Sequence, residues 1–233
     1  MKNKDPNLKT HFTSGGVVRD IIIGMSDGLT VPFALAAGLS GAVSQTNIII
    51  IAGFAEIAAG CISMGLGGYL AAQHDAEHYY SEQKKELSHV NATPKEEEQE
   101  VVDIFKGYGL SEKEIYPIVA NLKSNPSKWV DFMMRNELNL DKPDETRARN
   151  SGLTVALSYL VAGLIPLAPY IFIHEPNEAL VISVIVTLIA LAIFGYGKAK
   201  LINNNPWQSA LRTVLIGGVA AIAAYVIAKV IAM

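Results

Sequence analysis

The stretch "GGYLAAQHDAEHYYSEQKKELSHV", residues 67–90, begins apolar and ends densely charged, with no proline and no turn signal where the character changes. A helix that leaves lipid without meeting a breaker is expected to stay helical in water. The stretch therefore reads as the end of a membrane span that continues as one rod into a soluble region, to about Val90, before "NATP" stops it. Working outward, charge is sparse in residues 20–72 and 152–233 and dense between them. Residues 73–150 hold 16 Asp/Glu against 11 Lys/Arg, a net of −5, whereas the rest of the 233-residue chain is net +2. The expected domains are a tail with two spans over 1–72, a helical insert over 73–150, and three further spans over 151–233.

The apolar territory divides into five segments of about 20 residues, the length that crosses a hydrocarbon core. Their expected limits are 17–40, 47–71, 152–173, 178–197 and 209–232. Backbone polar groups in lipid must be satisfied within the segment, so these are expected to be helices. The fold class is all-α: an integral membrane protein with five transmembrane helices and a cytoplasmic helical insert between the second and third. The first segment is too long for a signal peptide, carries Asp27 and leads straight into the second span. Lysine and arginine orient it. Lys2, Lys4, Lys9 and Arg19 precede the first span, the insert is rich in both, and Lys198, Lys200 and Arg212 fall between the last two spans. The connections "GAVSQTN" and "HEPNEA" have none. With five spans the N-terminus and insert face the cytoplasm and the C-terminus faces away.

The insert reads as three short helices after the long one. "PKEEEQEVVDIFKGYG" opens on Pro94 with acids in its first turn, "SEKEIYPIVANLKSNP" opens on a Ser111–Glu114 capping box, and "PSKWVDFMMRNELNL" follows Asn125-Pro126. The single cysteine, Cys61, excludes an internal disulfide or a Cys-based metal cage. An acidic insert without a basic, aromatic-interleaved patch argues against nucleic acid as a partner.

Three acids lie in the first two spans. Asp20 is beside Arg19 at the membrane edge and reads as an interfacial ion pair. Asp27 and Glu56 are deeper, where ionisable groups cost about 2.5 kcal/mol or more and usually mark an ion or proton path. Glu56, Gly60 and Met64 share one helix face at i, i+4, i+8. A thioether beside carboxylates favours later transition metals over Mg²⁺ or Ca²⁺. The insert repeats this chemistry: His78, Glu82, Glu86 and His89 form one stripe, Glu97 and Glu100 are i, i+3 neighbours, and Met133 and Met134 lie a turn before Glu137. For the glutamates the competing reading is a solvated helix face. For the methionines it is packing around Trp129 and Phe132.

The chain resembles the vacuolar iron transporter family. "RDIIIGMSDGLTVPFALAAGLSGA", "AGFAEIAAGCISMGLGGYLAA", "YGL" and "NPSKWVDFMMRNELNLDKPD" carry the resemblance. It implies a five-helix homodimer in the lipid bilayer that exchanges cytoplasmic Fe²⁺ for protons, with Mn²⁺, Co²⁺ and Zn²⁺ as further candidate ions. It implies a pathway through Asp27, Glu56 and Met64, between the first two helices of two copies. It also implies insert ligands Glu86, Glu97, Glu100, Met133, Met134 and Glu137. His89 stands where the family pattern has a second glutamate three residues after Glu86, and imidazole there is a candidate metal ligand with its own pH dependence. The membrane is expected to be vacuolar in a eukaryote or cytoplasmic in a bacterium. Two rivals come from other classes. A membrane-anchored ferroxidase would use Glu86-Leu-Ser-His89 with Asp75-Ala-Glu-His78, and a metal-sensing module would use the insert alone.

Overall fold

The structure, a computed structural model, describes residues 15–202 and 204–232; Lys2, Lys4 and Lys9 lie outside the described residues. The described residues form eight α-helices and no strand: α1 (Gly15–Ala42), α2 (Thr46–Ala92), α3 (Pro94–Gly107), α4 (Glu112–Lys123), α5 (Pro126–Asn136), α6 (Arg147–Phe172), α7 (Pro176–Leu201) and α8 (Pro206–Ile231). Five of them, α1, α2, α6, α7 and α8, are long and apolar enough to cross a membrane. The helix begun in the second span runs unbroken for 47 residues, because no glycine pair or proline interrupts it between Tyr69 and Ala92. The chain forms two compact units. α1, the first part of α2, and α6–α8 make one; Ala71–Arg147 makes the other.

In the first unit, α1 packs against α7 and α8, and α7 against α8. Helices in lipid gain little from burying apolar surface, so close approach through small residues and a few hydrogen bonds holds them together. Gly24 lets α1 sit against α6, where an added Cβ would be 2.7 Å from the Cβ of Ser158; Gly195 does the same for α7 against α8, at 2.8 Å from the Cα of Ala210. Prolines 166 and 169 interrupt the backbone ladder inside α6. Ser183 of α7 ties the two helices together by donating its hydroxyl to the Pro166 carbonyl at 2.7 Å. At the far end, Ser40 and Tyr170 join hydroxyls at 2.9 Å, and the Thr46 hydroxyl donates to the His174 carbonyl. Asp20, expected at an interface, is buried at 1 % exposure, while Arg19 beside it is exposed.

The second unit closes its short helices with local signals. Asn125 caps α5 by accepting from the Lys128 amide at 3.2 Å. The Ser111–Glu114 capping box is formed, with the Ser111 amide donating to the Glu114 carboxylate at 2.8 Å. After α3, Gly109 takes a positive φ of 86°. Its amide donates to the Lys106 carbonyl at 2.9 Å and that of Leu110 to the Phe105 carbonyl at 3.2 Å, the double closure that a left-handed residue permits. The core gathers Tyr79, Val101, Ile115, Trp129, Met133 and Met134, and Phe105 stacks on Phe132 at 5.3 Å beside it.

Candidate functional site

In the membrane unit, the candidate acids are held by α1 and α2 and joined by a residue of α6. Asp27 and Glu56 are both half-buried, as is Met64. Tyr159 of α6, itself 2 % exposed, donates its hydroxyl to Oε1 of Glu56, while Oε2 of Glu56 is buried with no protein partner. Asp27, Glu56 and Cys61 all lie close enough to the Tyr159 hydroxyl to act on it electrostatically. Glycines create the space for this ring. A Cβ at Gly60, one turn beyond Glu56, would come within 2.5 Å of the tyrosine Cζ, and one at Gly28, next to Asp27, within 2.9 Å of the Tyr159 Cα. Tyr159 of α6 thus bonds Glu56 of α2 and lies within electrostatic reach of Asp27 of α1.

Tyr159 is the residue that reading the sequence missed. The signal was present: Ser151, Val155, Tyr159 and Ala162 repeat at helical spacing and are all buried, so the tyrosine sits on the packed face of α6 rather than at a lipid interface. A hydrogen-bond partner that fixes a ligating carboxylate typically changes metal affinity or activity by about 10- to 100-fold when removed. Tyr159→Phe should therefore lower transport about tenfold while preserving the fold, because the ring that fills the glycine hollow is retained. Metal flux beside the thermal midpoint of the detergent-solubilised protein checks this. Equal flux for both proteins would show that the phenol only packs.

In the insert, Glu86 and Glu97 are buried at 6 % and 3 % exposure, and one oxygen of each has no protein partner. His89 brings its Nδ1 to 3.7 Å from Glu97 and 4.0 Å from Glu86. Burial first, and then the neighbouring carboxylates Glu86 and Glu100, push the Glu97 carboxyl up to about 8, so it holds a proton at neutral pH. Partial desolvation of its carboxyl group, with the charges of Glu100 and Glu86, also raises Glu137 at the C-cap of α5, though the residue as a whole is exposed. The structure thus draws Glu86, His89 and Glu97 together, with Glu100 and Glu137 in electrostatic reach. Among the described residues, no three His, Cys, Asp or Glu side chains converge as a closed metal cage. Met133 and Met134 are fully buried in the core. Of the long-helix stripe, Glu82 pairs instead with Lys85 at 2.6 Å, and His78 is exposed. Asp75 and His78 lie on α2 with Glu86 and His89. A di-iron bundle draws its two Glu-x-x-His motifs from separate helices, and among the described residues these two lie on one helix.

Comparison with known proteins gives the family. The family model described as "VIT family" matches residues 18–229. Vacuolar iron transporter 1 of Oryza sativa subsp. japonica is 54 % identical over 221 residues, covering 95 % of this chain and 88 % of its own. Vacuolar iron transporter 1 of Arabidopsis thaliana is 52 % identical over 227 residues, covering 97 % and 91 %. Protein CCC1 of Saccharomyces cerevisiae is 39 % identical over 225 residues, covering 92 % and 69 %. The match runs through all five long apolar helices and the carboxylate-bearing helices between them, and the chain belongs to the VIT family.

Proposed function

We propose that this protein is a transporter, not an enzyme, that removes Fe²⁺ from the cytoplasm in exchange for protons. The observation that carries the reading is the Asp27, Glu56 and Tyr159 cluster inside membrane-crossing helices, in a chain whose relatives are named iron transporters. A carboxyl group must give up its proton to hold a cation well, so one set of acids can bind metal and proton in alternation. Met64, one turn beyond Gly60, adds a soft sulfur that favours iron over Mg²⁺ and Ca²⁺. Glu86, His89, Glu97, Glu100 and Glu137 collect the ion on the cytoplasmic side, while Met133 and Met134 pack the core behind them. Mn²⁺, Co²⁺ and Zn²⁺ are further candidate ions. α2 exposes Ile51, Phe54, Ile62, Leu66 and Leu70 in its membrane half. A second copy seated there makes a homodimer and places two sets of Glu56 and Met64 beside one path. The receiving compartment is the vacuole in a eukaryotic cell and the exterior in a bacterium.

The test is Fe²⁺ flux into proteoliposomes with and without an imposed pH gradient. Uptake should accelerate when the receiving side is acidic and be accompanied by proton movement in the opposite direction. Flux indifferent to the gradient and to a protonophore would refute the antiport and leave uniport of metal.

A further inference from the structure

We propose that the groove between the start of α1 and the end of α7 binds an anionic phospholipid, with its phosphate between Arg19 and Lys198 and an acyl chain along the apolar wall. Two hollows of about 340 and 210 Å³ share Val18, Ile22 and Leu201 and so form one groove. Its charged lining residues are Arg19 on one side and Lys198 on the other, and no acidic side chain is among the lining residues. Lys198 is half-buried and its ammonium lies over the Phe194 ring at 5.3 Å, one turn back along α7, so the cation sits beside the apolar wall of the groove. Gly197 leaves part of the wall bare: a Cβ there would meet nothing within 4 Å.

Neighbouring residues fix the depth of this groove at headgroup level. Tyr196 meets Trp207 edge-on at 5.3 Å, and Trp207 is 76 % exposed, as expected of an aromatic pair at a membrane–water boundary. Lys200 over Tyr196 and exposed Arg212 belong to the same end. A general bias of cations toward one side of a membrane accounts for exposed Lys200 and Arg212. It does not account for a half-buried lysine and an arginine that both line one apolar groove. A guanidinium offers paired N–H donors to a phosphate, and basic pockets between membrane helices suit anionic headgroups. The alternative occupant, the chain's own residues 1–14, contains Lys2, Lys4 and Lys9 against a single acid, Asp5. Its charge has the wrong sign for this groove.

The experiment is native mass spectrometry of the full chain in detergent, offered phosphatidylglycerol and phosphatidylcholine with identical acyl chains. Wild type should retain phosphatidylglycerol preferentially, and Arg19→Gln and Lys198→Gln should each lower that preference about fivefold, the effect of one cation near a charged lipid surface. Gly197→Phe alters no charge and enters open space. It should lower retention of phosphatidylglycerol by obstructing the chain's bed. Equal retention of the two lipids by wild type would overturn the proposal, as would an undiminished preference in the Arg19→Gln/Lys198→Gln double variant. Displacement of phosphatidylglycerol by inorganic phosphate would reduce the site to a simple anion site and overturn the lipid assignment. If phosphatidylglycerol binds only after removal of residues 2–14, the tail is the native occupant and the proposal fails.

Discussion

Asp27→Asn should reduce Fe²⁺ flux in proteoliposomes by about 100-fold or more, beyond the 10- to 100-fold effect of losing a group that merely supports a ligand. Asparagine keeps the shape and hydrogen-bonding reach of aspartate but can neither carry charge nor exchange a proton. Asp27 is half-buried on α1, and asparagine is isosteric with aspartate, so the substitution adds no volume there. Expression and particle size in detergent should be unchanged. Asp27→Glu should recover part of the flux, since it restores the carboxylate at a shifted position. Near-normal flux in Asp27→Asn would remove Asp27 from the path and leave Glu56 and Met64 to carry it.

How much of this was legible without coordinates follows the range over which each signal acts. The length of α2 was readable because an absent breaker is a local property, and the helix ends at Ala92, two residues beyond the expected Val90. The capping box on α4 and the proline starts of α3 and α5 were readable for the same reason. Tyr159 was not. Its bond to Glu56 spans 103 residues of sequence and depends on Gly28 and Gly60, on two other helices, both leaving room for one ring. The methionines show a different limit. Met133 and Met134 at helical spacing fit packing and ligation equally well in a sequence, and only three-dimensional burial shows that packing is satisfied first. The Glu86–His89 spacing was visible, but the approach of Glu97 from α3 was not, because it depends on how two helices meet.

The insert's grip on metal should strengthen steeply with pH. Glu97 is held at about 8, above the ordinary 4.5, so at neutral pH a metal ion must displace its proton. One displaced proton gives about tenfold in affinity per pH unit between the ordinary carboxyl range and about pH 8, and no further gain above it. Stability of the metal-free insert runs the other way. Its folded form keeps a proton that the unfolded chain gives up, so this contribution is full below about pH 4.5 and is lost as pH rises through about 8. Glu97→Gln should flatten both trends and weaken binding. If His89 is a ligand, His89→Ala should weaken binding across the whole range. Titrating the full-length protein with Co²⁺ across this range measures all three. A pH-independent affinity in wild type would mean that Glu97 does not hold the metal, and an unchanged affinity in His89→Ala would remove the histidine.

The complete enclosure of Met133 and Met134 has a consequence in oxidative chemistry. Ferrous iron and peroxide together generate oxidants that convert thioethers to sulfoxides, and a sulfoxide is polar, bulkier and unable to rest among Trp129, Val101 and Ile115. A surface methionine beside collected iron would be damaged at the rate of encounter. Here the sulfur atoms are shielded by the same packing that a sulfoxide would disrupt. Oxidation of the insert is then limited by how often its core opens, so the durability of the carboxylate cluster near iron depends on the tightness of the core behind it.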